Sequence, residues 1–263
     1  MHIHVLDSYR PGESPVHRLD PRVKLLLVGL LILTAALTPD RGWVAFGSLE
    51  IVLLLTTILS QVGLRLVQAR SVVALPFALA ALTVVFSTPG NPLWVLPLLG
   101  GRWAVTDAGL VRFGSIVVRS YLSVQAAVLL ASTTPFPDLL WGMRALRIPR
   151  VLVVIGGFLY RYLFVLADEA ARLMRAREAR SMAPDGRGGG SVRWRARVTG
   201  GMVGSFFIRS YERSERIYAA MLARGYDGEV RALSPPSLRA TDLMVGVLAG
   251  LTLLTILLIG GGT

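Results

Sequence analysis

Six apolar runs separated by arginine-bearing polar stretches restrict this chain more than any other feature. They cover residues 23–37, 43–59, 72–86, 113–131, 151–166 and 243–259, and Glu50 is the lone acid inside them. Runs of this kind are too long and too apolar to be covered by a small soluble fold. They read as helices in lipid, where every backbone group must be satisfied within its own segment. Several fall short of the ~20 residues that cross hydrocarbon comfortably, so flanking residues such as Lys24 are expected to snorkel or the bilayer to thin locally. Composition agrees: 53% of the 263 residues are hydrophobic and only 17% charged, against roughly 25% charged in soluble domains. The fold class expected is an all-α polytopic membrane protein.

The formal net charge is +12, and Lys24 is the only lysine among 28 basic residues. Nucleic-acid binding does not explain this charge, because no soluble basic fold is available to carry it. Basic loops held on the cytoplasmic side do. With five spans and the N-terminus inside, the cytoplasm receives Arg10, Arg18, Arg22, Lys24, Arg65, Arg70 and the arginines from Arg144 to Arg239, while Arg41 and Arg102 remain outside. A sixth span at 151–166 would expel most of that last group. The run therefore belongs to a helix lying under or against the bundle, interrupted by Arg161 and preceded by Pro149. The expected division is 1–133 with four spans, 134–241 as one large cytoplasmic region, and 242–263 as the final span. No cleavable leader is expected, since the first apolar run follows a polar lead containing Asp7, Glu13 and Asp20. The absence of cysteine excludes disulfides, thiolate metal sites and iron–sulfur clusters.

The cytoplasmic region reads as helices. "PDLLWGMRALRIP" is a short amphipathic piece between prolines, a long helix is expected over Arg150–Ser181, and another over 192–224, joined by the flexible "SMAPDGRGGGS". "SPPS" separates the last of these from the final span. Between Arg144 and Arg239 there are 18 arginines against 8 acids, so most of the excess charge lies here. The first long helix ends on Ala179-Arg180-Ser181 and the second on Ala223-Arg224-Gly225. Gly225 suits the left-handed residue that closes a helix, and Arg224 complements the helix dipole. A single Arg-Gly pair at a helix end is an ordinary cap. Two such endings on consecutive helices suggest two prongs on one cytoplasmic face: alanine permits close approach, and guanidinium binds carboxylate bidentately.

Other groups carry plainer readings. In "PVHRLDPRVKLL", residues 15–26, Asp20 is a good N-cap, Pro21 fits the first helical position, and Arg22 and Lys24 are expected to hold the lipid interface. Arg112 and Arg119, seven apart, share a face and are expected to orient the fourth span inside the bundle. Asp168–Arg172 and Glu212–Arg216 have the spacing of i,i+4 support. His2 and His4 are poor candidates for a metal site, with His17 the only other histidine. "PDGRGGGS" lacks the Lys-Ser/Thr ending of a phosphate-binding loop, so no ATP site is expected in the chain.

"HRLDPRVKLL" before the first span, "PDLLWGMRALRIP" after the fourth, and the two triplets together resemble the transmembrane T component of energy-coupling-factor (ECF) transporters over nearly the whole chain. The polar start, "MHIHVLDSYRPGESPVHRLDPRVK", is most similar to the cobalt-type CbiQ family. The resemblance implies five membrane helices with cytoplasmic coupling helices, and docking of the two Ala-Arg-Gly motifs into grooves on two ABC-type ATPase subunits. It thus implies docking roles for Ala179, Arg180 and Ser181, where serine replaces the motif's glycine, and for Ala223, Arg224 and Gly225. It also implies a substrate-binding S component of CbiM type, with room for a small CbiN-like subunit, and a place in the bacterial cytoplasmic membrane. No catalysis and no cofactor of its own are implied. Nickel or a vitamin such as biotin is the alternative cargo. A polytopic enzyme acting on anionic lipid is the alternative of another class, and it would want acids or histidines clustered within spans.

Overall fold

The computed structural model describes residues 9–98, 101–181, 191–228 and 238–261. In chain order the helices are α1 (Pro15–Arg18), α2 (Pro21–Leu37), α3 (Trp43–Ser60), α4 (Leu64–Ser71), a 3-10 turn (Val72–Ala74) and α5 (Leu75–Ser87). A hairpin of β1 (Pro92–Leu98) and β2 (Gly101–Thr106) follows, then α6 (Asp107–Thr133), α7 (Phe136–Ala145), α8 (Arg150–Ser181), α9 (Val192–Ala223) and α10 (Ala240–Gly261). They fall into two compact units: residues 147–233, and residues 2–146 with 234–263.

In the larger unit α2, α3, α6 and α10 share a core. Leu31 and Ala35 of α2 meet Phe46, Leu49 and Leu53 of α3, Leu122, Ala126 and Leu129 of α6, and Leu253 and Ile256 of α10. The outward faces stay apolar, as Leu55, Phe77 and Leu248 show at 55%, 59% and 68% exposure. Apolar surface of this extent on a folded unit is surface meant for lipid. Hydroxyls inside these helices are neutralised by back-bonding to the preceding turn: Thr34 donates to the Leu30 carbonyl, Thr57 to Leu53 and Thr133 to Leu129. Close approach is made possible at Gly109 of α6, where a Cβ would lie 2.5 Å from the Val85 carbonyl oxygen of α5.

Among the described residues, four helices can cross a membrane by length and composition: α3, α6, α8 over Arg150–Arg180, and α10. The α4-to-α5 pair, bent by 48°, makes a fifth candidate. The bend coincides with Pro76, which removes a helix hydrogen bond and clashes with the preceding turn. α2 has 17 residues, about 25 Å at ~1.5 Å each, and is shorter than a ~30 Å hydrocarbon core. The 151–166 run thus forms part of a helix as apolar and as long as the spans, a likeness that charge distribution alone conceals.

The proline-studded stretch after α5 pairs as an antiparallel hairpin, with Leu98 opposite Gly101 and Pro92 opposite Thr106, and a register shift between Pro92 and Trp94. The hairpin delivers Thr106 as N-cap of α6: its hydroxyl accepts the Gly109 N–H at 3.1 Å and donates to the Thr88 carbonyl at 2.9 Å.

Candidate docking site

The smaller unit is built on α8 and α9. Ser191 starts α9 by accepting the Trp194 N–H at 3.3 Å, the usual work of a serine N-cap. The two helices run antiparallel. Glu169 of α8 lies 2.6 Å from Arg172 and 4.0 Å from Arg213 of α9, while Phe158, earlier on α8, meets Tyr226, later in the chain. Glu169 thus pairs with Arg172 rather than Asp168 doing so, whereas the Glu212–Arg216 pair forms as expected at 3.9 Å.

Ala223-Arg224-Gly225 closes α9 by a fully formed turn. Gly225 takes φ +79°, its N–H reaches the Leu222 carbonyl at 3.0 Å, and the Tyr226 N–H reaches the Met221 carbonyl at 3.0 Å. These two bonds satisfy helix-end carbonyls in the Schellman arrangement, which favours glycine because it lacks a Cβ. The turn leaves Ala223, Arg224 and Gly225 all exposed. At the end of α8, Ala179 and Arg180 are likewise exposed, and the helix continues through Ser181. Serine here does not interrupt the helix as glycine does on α9. Because the helices are antiparallel, the triplets stand at opposite ends of the pair rather than side by side. The stretch of α8 from Phe158 to Arg180 is about 33 Å long at ~1.5 Å per residue, which sets the scale of their separation.

Within the larger unit the lead into α2 forms a hub that the sequence does not reveal. Asp20 caps α2 as expected, accepting the Arg22 N–H at 2.8 Å. Lys24, however, does not snorkel: it is 6% exposed. Its Nζ donates to the His17 carbonyl, the Thr133 carbonyl and the Thr134 hydroxyl, each at 3.1 Å. Arg22 turns inward too, its guanidinium 4.1 Å from the centre of the Trp141 ring on α7. The expected lipid-interface roles are corrected accordingly: three oxygen acceptors offset the cost of burying the Lys24 ammonium. Gly142 lets α7 settle on α2, since a Cβ there would lie 2.9 Å from Leu25 Cδ1. His17 binds the Ser14 hydroxyl through Nδ1 at 2.7 Å and the Arg10 carbonyl through Nε2 at 3.0 Å, so both ring nitrogens are engaged.

Of the two arginines on α6, only Arg119 works inside the bundle. Its guanidinium donates to the Thr38 carbonyl at 2.6 Å and to Asp40 at 2.8 Å, and Ser115 donates to the same carboxylate oxygen at 2.9 Å. Arg112 is exposed, which corrects the expectation for it. Seven residues return a helix face only approximately, and Asp40 engages Arg119.

His2 and His4 lie outside the described residues. Among the described residues no group of three or more histidines and carboxylates is placed to hold a metal ion. Glu50 has one carboxylate oxygen shielded without a hydrogen-bond partner. On the exposed face of α9, a hydrogen bond to Glu215 and that residue's charge hold the Tyr211 phenol above its usual range, so the group stays neutral.

Residues 12–234 match the family described as CbiQ, cobalt transport protein. The cobalt transport protein CbiQ of Rhodobacter capsulatus is 31% identical over 184 residues, covering 70% of this chain and 72% of the relative. The energy-coupling factor transporter transmembrane protein EcfT of Lacticaseibacillus paracasei is 28% identical over 238 residues, 85% of each. The nickel permease LarQ of Lactiplantibacillus plantarum is 32% identical over 136 residues, 52% of this chain and 45% of the relative. With its apolar helices, the chain is a multi-pass membrane protein that belongs to the CbiQ cobalt transport family, among the transmembrane components of ECF transporters.

Proposed function

We propose that this chain is the non-catalytic scaffold of an ATP-driven importer, with cobalt as cargo. Two ABC-type ATPase subunits grip the ends of α8 and α9 through Ala179-Arg180-Ser181 and Ala223-Arg224-Gly225. Their ATP-driven movement displaces the helix pair, and the pair passes that displacement to a CbiM-like S component that holds the ion. The region of residues 134–241 is cytoplasmic in this reading, the N-terminus faces the cytosol, and residues 1–133 and 242–263 lie in the bacterial cytoplasmic membrane. The observation that carries the reading is the antiparallel pair with an exposed Ala-Arg at each C-terminus. Two grips at opposite ends suit two separate motor subunits, because a single groove would not reach both.

Uptake of radioactive cobalt tests it. Cells with the chain, its ATPases and its S component are expected to accumulate the ion, and Arg180→Glu with Arg224→Glu is expected to abolish accumulation while the chain still reaches the membrane. Full uptake by that double variant would remove the proposed role. Nickel is the second reading, favoured by the LarQ relative. Uptake of nickel but not cobalt by the same cells would select it.

A further inference from the structure

We propose that the β1–β2 hairpin is a membrane-interface anchor, lying among lipid headgroups at the end of the larger unit opposite the Lys24 hub. Residues 92–106 carry a single charge, Arg102, among leucines, valines, prolines and two tryptophans. An antiparallel pair with one face in water alternates apolar with polar residues. Here Trp94, Leu96 and Leu98 alternate with Val95 and Pro97, so neither set is polar. Leu93 and Trp94 are nevertheless 55% and 76% exposed. A two-stranded sheet is marginal in water by itself, and apolar surface on both of its faces calls for an apolar cover.

Placement says what that cover is. The hairpin is rooted on the first turn of α6: the Asn91 N–H reaches Asp107 Oδ1 at 3.0 Å, and the Asp107 N–H reaches the Asn91 carbonyl at 3.2 Å. At its other end α6 gives the Thr133 carbonyl to Lys24. The 27 residues of α6 extend about 40 Å at ~1.5 Å each. That exceeds a ~30 Å hydrocarbon core, so its first turn reaches the headgroup region. The flanking helices continue the lipid-facing surface up to the hairpin, with Leu82 of α5 and Leu110 of α6 exposed. Depth is limited as well. Among the described residues the sheet has only these two strands, so their outer edges lack strand partners, and hydrocarbon does not tolerate such edges. Water satisfies the edges but not the leucines, and the acyl core satisfies the leucines but not the edges. The headgroup layer serves both, and it is where tryptophan accumulates. Anchored there, the hairpin holds the adjoining ends of α5 and α6 at one depth, independently of the docking triplets.

The full chain has no cysteine, so Leu93→Cys and Trp94→Cys each place one thiol on the hairpin. Ile51→Cys, midway along α3 at a position 58% exposed, supplies a marker for the acyl core. Each chain is labelled with a nitrobenzoxadiazole fluorophore and reconstituted into vesicles of phosphatidylcholine and phosphatidylglycerol. At both hairpin positions, a nitroxide at the top of the acyl chain is expected to quench severalfold more than one near its end. Iodide in the buffer is expected to quench less than it quenches the free dye. At Ile51→Cys the order of the two nitroxides is expected to reverse. Thermal unfolding in detergent shows which chains are folded, and Leu93→Cys, which keeps both tryptophans, decides the matter if Trp94→Cys weakens the anchor. Iodide quenching equal to that of the free dye, with no effect of either nitroxide, puts the hairpin in water and overturns the proposal. The depth order of Ile51→Cys puts it in hydrocarbon and overturns it too. Shielding from iodide and both nitroxides means that protein covers the hairpin, this chain or a second copy, with the same consequence.

Discussion

The Tyr226 ring stands edge-on to Phe158, with centroids 6.3 Å apart and planes at 67°. This contact fastens the turn that ends α9 to the first third of α8, and it holds Arg224 at a fixed place relative to the helix pair. An edge-to-face pair contributes about 0.5–1.5 kcal/mol beyond burial. A double-mutant cycle with Phe158→Leu and Tyr226→Leu, read by thermal unfolding, is expected to return a coupling in that range. Additive effects would show that the rings are neighbours without being partners.

Gly225 is the second determinant of that turn. At φ +79° an alanine is strained by about 1–2 kcal/mol. Gly225→Ala therefore is expected to weaken ATPase retention several-fold although Arg224 is untouched. Ser181→Gly, on the other helix, is expected to leave retention unchanged or raise it. Equal retention by Gly225→Ala and the parent chain would show that the arginine needs no turn to present it.

Lys24 gives a stability prediction. Replacing it with methionine keeps the length but leaves buried acceptors at Thr133 and Thr134 without their donor. Hydrogen bonds to charged groups are worth about 1.5–3 kcal/mol, so Lys24→Met is expected to lower the unfolding midpoint in detergent by several degrees. A lysine at the lipid interface would instead tolerate the change in detergent.

The cysteine-free sequence makes topology directly measurable. Ser214→Cys places a thiol on an exposed position of α9. It is expected to react with a membrane-impermeant maleimide in inverted vesicles and not in intact cells. Labelling in intact cells would put the helix pair on the wrong side for a cytosolic motor.

Much of this fold is written in local signals. Arg150–Ser181 follows from Pro149 and from the glycine-rich sequence after Ser181, and Asp20-Pro21 marks the start of α2 through cap chemistry that needs only two residues. The second long helix stops at Ala223, one residue before the expected end, because Arg224 already has cap geometry. What was illegible depends on distant partners. Lys24 reads as an interface lysine until Thr133 and Thr134, far along the chain, are seen to supply acceptors. Nothing in the spacing of Arg112 and Arg119 says which one meets Asp40. The opposite placement of the two triplets depends on how α8 and α9 pair, and the sequence of either helix is silent on that. The hairpin at 92–106 has no place in an all-α reading, although Trp94, Val95, Trp103 and Val105 are strand formers.

The most direct measurement is recovery of the ATPase subunits with tagged, membrane-extracted chain. Arg180→Glu and Arg224→Glu are each expected to reduce recovery, and the double variant to abolish it while its unfolding midpoint stays that of the parent. Undiminished recovery with the folded double variant would contradict the account.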